Sequence, residues 1–210
     1  MATHHHPIPL PEPGPGAKDN GQLAAWLGLT SFTFMMGTFV AANVYLRGWN
    51  PQVFGVQLPD EIKNLSYIST LVLIVTTVVL MIAGILFRNS SYKKFLGTMG
   101  FGALLYTAYL ILQIELCVKY FQAGAAITTI NATITIFQII TALVSLGFIA
   151  AVGWYGDSQN GKALRRLVPG AMAVWTYAVI TGIVVLIITD VVSVGQFADW
   201  CGTRLQQLVK

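Results

Sequence analysis

From Tyr120 to Gly156 the chain reads YFQAGAAITTINATITIFQIITALVSLGFIAAVGWYG, 37 residues without one Asp, Glu, Lys or Arg. At 1.5 Å per residue, about 20 apolar residues cross a hydrocarbon layer roughly 30 Å thick, so this run is longer than one span. Gln122-Ala123-Gly124 divides it, because glycine readily takes the left-handed conformation that ends a helix. The run is therefore the end of one membrane helix followed by the whole of another. Four more charge-free stretches accompany it: Asn20–Leu46, Asn64–Phe87, Phe95–Ile114 and Leu167–Thr189, of 27, 24, 20 and 23 residues. The composition agrees, since 10% of the 210 residues are charged, against roughly 25% in a soluble domain. The sequence predicts an all-α polytopic membrane protein, a bundle of five transmembrane helices at about residues 23–45, 65–87, 95–120, 128–154 and 169–189.

Around this domain, residues 1–22 read as a Pro/Gly-rich arm, because Pro7, Pro9, Pro11, Pro13 and Pro15 remove backbone donors and favour an extended chain. The arm has no basic leader ahead of the first span, which is expected to stay as an uncleaved anchor. Residues 191–210, with Phe197, Trp200, Leu205 and Leu208, read as an interfacial tail. The second span is rich in Val, Ile and Thr, a strand composition in water. In lipid each backbone amide must be satisfied within its own segment, and helix wins. Pro169 suits the first turn of the fifth span, where its missing N–H is an orphan in any case. Two short loops hold three basic residues each, Arg88, Lys93 and Lys94 in one, Lys162, Arg165 and Arg166 in the other. By the positive-inside rule these loops face the cytoplasm, with the N-terminus inside and the C-terminus outside.

The chemistry-bearing residues are few. His4, His5 and His6 are the sole histidines and sit together on the arm, leaving none in the spans to ligate haem, copper or iron. Cys117 and Cys201 stand alone, without metal-site spacing. No catalytic, cofactor-binding or metal-binding residues are predicted, and the basic loops read as topology signals rather than a nucleic-acid surface. Glu115 is the one carboxylate near lipid depth. It reads either as a functional acid or as an interfacial ion pair with Lys119, one turn on. Gln113, Asn43, Asn131 and Gln138 read as polar glue between helices or subunits, and Asp190 as an interfacial helix end. Gly147 with Ala151, Ala178 with Gly182, and the group Gly97, Gly100 and Gly102 read as close-packing positions. Trp49 and Phe54 suit the membrane boundary.

The order of several short motifs resembles subunit III of the haem-copper terminal oxidases, in its short five-helix bacterial form. Tyr45-Leu46-Arg47-Gly48-Trp49-Asn50-Pro51 is similar to the family's arginine followed by W-P-P, and Leu58-Pro59 to its downstream Leu-Pro. Ser69-Thr70-Leu71-Val72-Leu73-Ile74 resembles the N-T-x-x-L-L opening of the next helix. Leu112-Gln113 with Gly124 resembles the G-Q-x-x-E element and its loop glycine. Phe137 and Thr141 fall in the F-x-x-x-T-G-x-H-G-x-H element, and Trp175 falls in the late W-H-x-x-D element. The resemblance covers about residues 27–189. This chain departs from the family at its polar positions. The family's first-helix glutamate is Phe32 here, its two histidines are Val144 and Gly147, and its late histidine and aspartate are Thr176 and Val179. Its G-Q-x-x-E acid is Leu116, with Glu115 one position away.

The resemblance implies a non-catalytic subunit in a bacterial plasma membrane, stabilising a catalytic subunit that carries the haem and copper, and holding lipid between its helices. It implies lipid or subunit contacts at Trp49, Gln113, Glu115 and Trp175, and it does not carry the family's carboxylate onto this chain. Two rival expectations stand beside it: an accessory subunit of a nitric oxide reductase, and a small transporter with Glu115 as its coupling acid.

Overall fold

The computed structural model describes residues 17–54, 58–88, 92–157 and 161–191. Residues 1–16 of the proline arm, with its three histidines, the Ser158–Asn160 part of the polar loop and the tail after Val191 lie outside the described residues; residues 17–22, expected in the arm, are the first turns of α1. The helices are α1 (Ala17–Trp49), α2 (Pro51–Phe54), α3 (Asp60–Arg88), α4 (Tyr92–Ala123), α5 (Ala126–Asp157) and α6 (Gly161–Leu186). A π-helical turn, Ile187–Val191, continues α6. Five of these helices are long and apolar enough to cross a membrane. The chain is a multi-pass membrane protein.

Each long helix outruns its apolar stretch. The polar residues that bounded the expected spans, such as Asp60, Glu61 and Lys93, are themselves helical. They reach beyond the hydrocarbon, where water satisfies charged side chains while the backbone keeps its helical bonds. Pro169 is the clearest correction. It lies in the interior of α6 rather than its first turn, because the helix begins at Gly161. Proline inside a membrane helix is tolerated when neighbouring groups satisfy the freed carbonyl. Gly124 ends α4 as expected, with a φ of 65°. Asn50 separates α1 from α2 and caps the short helix, its side-chain oxygen 3.4 Å from the Val53 amide.

Four helices form a ring: α3 packs on α4, α4 on α5, α5 on α6, and α6 returns to α3. Its centre is filled by Leu73, Leu80, Tyr106, Val152, Leu164 and Trp175, all buried. Large apolar side chains cover the outside, among them Leu71, Phe101, Leu104, Ile111, Leu143 and Ile180. That distribution suits lipid and would be untenable in water. Helix α1 lies outside the ring and leans on α5 and α6, through Met36 against Ile134 and Val185.

Glycine decides how close the ring helices come. A Cβ on Gly102 would sit 2.6 Å from Leu80 Cδ2, and one on Gly182 would sit 2.7 Å from Leu73 Cδ2. The other expected packing glycines, Gly97, Gly100 and Gly147, have open space around them. They face away from the neighbouring helices, so they are not packing points within this chain. Gly102→Val is expected to lower stability by about 1–3 kcal/mol through overpacking. Gly97→Ala is expected to leave it unchanged or raise it by up to about 1 kcal/mol through helix propensity. Detergent-micelle unfolding of the two variants checks both signs.

Candidate functional site

Two features stand out, one polar and one apolar. The polar one occupies the half of the bundle that holds the end of α1, the start of α3 and the end of α6. Here helix-spaced hydroxyls and amides face inward: Ser66, Ser69 and Thr70 on α3, Gln113 and Tyr120 on α4, Asn131, Thr135 and Gln138 on α5, and Thr189 on the π turn, all buried. Most of the threonines satisfy themselves by donating to the carbonyl four residues back, as Thr70 does to Ser66 and Thr135 to Asn131. This bond explains how β-branched hydroxyl residues line a helix interior without orphaned donors.

The remaining polar groups join helices. Asn43 Nδ2 donates to Asn131 Oδ1 at 2.6 Å, fastening α1 to α5. Gln113 Nε2 donates to Ser69 Oγ at 3.2 Å, fastening α4 to α3. Ser66 Oγ donates to Asp190 Oδ2 at 2.6 Å, fastening α3 to the π turn. Arg47 Nη1 donates to the Ile188 carbonyl at 2.7 Å, and its guanidinium attracts the Asp190 carboxylate. A π turn pairs each amide with the fifth carbonyl back, which disturbs the helical ladder and turns carbonyls toward other donors. The Ile188 carbonyl in this turn accepts from Arg47. At the rim, Lys119 pairs with Glu61 and lies 4.0 Å from Glu115.

The structure places each of these residues. Gln113, read as polar glue between helices or subunits and, through the resemblance, as a lipid or subunit contact, is 2% exposed and bonds Ser69 on a neighbouring helix. Trp175, which the resemblance implies at such a contact, is 1% exposed, with its indole N–H 3.4 Å from the Ser145 carbonyl. A large residue with a single donor is well accommodated in the core when that donor finds a carbonyl. Trp49 is 73% exposed and stacks beside Tyr45, ring centroids 5.7 Å apart. The Glu115 side chain is 53% exposed and points to the rim, away from the polar interior. Asp190 is more than a helix end, because Ser66, Arg47 and Lys63 all act on it. The clamp of Arg47 on the π turn escaped sequence reasoning, since no residue type announces a π turn. The inward stripes Ser66-Ser69-Thr70 and Asn131-Thr135-Gln138 did carry a signal, helical periodicity of small polar residues in an apolar run. Among the described residues no cluster of three or more His, Cys, Asp or Glu could hold a metal.

The apolar feature is a cleft of about 240 Å³ between the first half of α1 and helices α5 and α6. Its walls include Leu29 and Phe32 on one side and Ile140, Val144, Phe148 and Val174 on the other. Phe32 closes one end by packing edge-on against Phe137, centroids 5.6 Å apart, and against Tyr177 at 6.4 Å. The Thr33 and Tyr177 hydroxyls lie 3.1 Å apart beside it. With hydrocarbon walls and no charged side chain among them, the cleft suits an acyl chain.

Asn43→Leu and Asn131→Leu are each expected to lower stability by about 1–3 kcal/mol, because the surviving amide is left buried without its partner. The double variant should recover part of that loss, with a coupling of about 0.6–1.7 kcal/mol. A double-mutant cycle by unfolding in mixed micelles measures it, and zero coupling would remove the bond from the account of how α1 docks.

No family model matches the chain, and neither a curated protein nor a solved structure matches it.

Proposed function

We propose that the chain is a non-catalytic membrane subunit, similar in role to subunit III of the haem-copper terminal oxidases, that packs beside a haem- and copper-bearing subunit and holds lipid against its first helix. One observation carries this reading. Phe32 and Val144, which the motif order aligns with the family's first-helix glutamate and one of its histidines, lie far apart in sequence yet face each other across a single cleft. Gly147, Thr176 and Val179, aligned with the rest of that polar set, do not line it. Phe137, from the same family element, packs on Phe32. Where the resembling family has polar groups, this chain has an apolar slot, and the matching ligand is a lipid tail rather than a head group.

The rim position of Glu115, held near Lys119, counts against a transporter that moves a proton or ion through this carboxylate. The membrane we propose is the bacterial plasma membrane, with the Lys93 and Lys94 end of the bundle in the cytoplasm. The basic loops support that orientation.

Gentle affinity purification from native membranes tests the assignment. Haem- and copper-bearing subunits are expected to co-migrate with the chain, and repeated isolation without any haem protein would overturn the reading. The catalytic activity of the isolated complex, oxygen reduction or nitric oxide reduction, then decides between the oxidase and the reductase partner. Val144→Trp, which fills the cleft, is expected to reduce the phospholipid retained per chain while leaving the fold intact, as native mass spectrometry would record. For orientation, a cysteine placed at Ala123 in a Cys117→Ser, Cys201→Ser background should react with an impermeant maleimide in intact cells. One placed at Asn160 should react only after lysis, and the reverse pattern inverts the topology.

A further inference from the structure

Inside the ring, below the Asp190 contact, lies a cavity of about 10 Å³. Its walls come from α3, α4, α5 and the end of α6 and include Ser66, Gln113, Tyr120, Asn131, Gln138 and Thr189. All six are buried. One of them is incomplete: Gln113 spends its amide N–H on Ser69 Oγ, but its carbonyl oxygen Oε1 is buried without a hydrogen-bond partner. A buried acceptor left without a donor costs its full desolvation, and native proteins rarely tolerate it.

We propose that this cavity binds one ordered water molecule, which donates a hydrogen bond to Gln113 Oε1 and bridges α4 to the polar side chains of α3 and α5. The size fits, since about 10–15 Å³ of such space holds a single water. The lining fits as well. Apolar voids stay dry, whereas a void with several polar partners within reach keeps its water. The electrostatics select a neutral ligand over a cation. No carboxylate is among the lining residues; Asp190, which accepts from Ser66 through Oδ2 and keeps Oδ1 buried without a bond, already faces the positive charges of Arg47 and Lys63. The occupant also has a structural role, because Asn131 in the cavity wall is the residue that receives α1 through Asn43. A water here ties the four-helix ring to the point where the outer helix is fastened.

Two measurements on the full chain decide it. In a crystal or cryo-electron map that resolves interior waters, density is expected within 2.7–3.2 Å of Gln113 Oε1. An empty cavity in such a map overturns the proposal. The variant Gln113→Met, close to glutamine in volume and apolar, removes the Ser69 bond and the proposed water contact together. In a map of this variant at the same resolution the water density is expected to be lost, and density unchanged there would show that Oε1 does not hold it and overturn the proposal. A wild-type Tm that climbs with sodium at constant ionic strength, and does not in Gln113→Met, would assign the cavity to a cation and likewise overturn the proposal.

Discussion

Lipid tails are as apolar as leucine, so nothing in the hydrophobic effect draws one membrane helix to another. The bundle therefore depends on the bonds that lipid cannot supply, and above all on the pair Asn43 and Asn131 with the Arg47 contact one turn further on. In the ring, glycines at 102 and 182 let helices approach closely, and dispersion between well-fitted side chains adds up over many contacts. Helix α1 has no comparable seam. Its described surface is mostly open, and its grip comes from Met36, a few aromatic contacts, the Thr33–Tyr177 hydroxyl pair and the two polar contacts near Arg47. Remove the polar pair and α1 has little reason to prefer protein over lipid.

That arrangement also produces the cleft. Helix α1 is fastened by buried amides and a guanidinium toward its Arg47 end, and nearer its start it meets α5 and α6 through Phe32 and Thr33 beside an open, apolar-lined gap. Polar interior and apolar cleft are thus two outcomes of one asymmetry in how the outer helix is held. The two features occupy different depths, and no polar group of the first reaches the second.

Much of the fold was legible in the sequence because the membrane simplifies the reading. A charge-free run of sufficient length has few structures available, and Gly124 divided the long run where the structure does. The ends were less legible, since charged residues such as Asp60 or Lys93 stop an apolar run without stopping a helix. Pro169 is less legible for a related reason, since a proline suits both a first turn and a membrane-helix interior, and only the start of α6 at Gly161 separates the two. Of the site, the asparagines and Gln113 were recognisable as helix-joining groups, but whether they faced a neighbouring helix or a separate partner depended on which stripe each helix turned inward. Trp175 was judged by its motif, and burial placed it in the core. The π turn had no signature at all, and with it went the roles of Arg47 and Asp190.

The contacts that hold α1 also order events during synthesis. Its partners are distant along the chain: Asn131 lies 88 residues beyond Asn43, and Ile188 lies 141 beyond Arg47. Helix α1 leaves the ribosome before both of its partners and cannot be fully latched until α6 has emerged and formed its π turn. In the interval its Asn43 amide is in the bilayer without its bond, so α1 takes its final place after helices made later than itself.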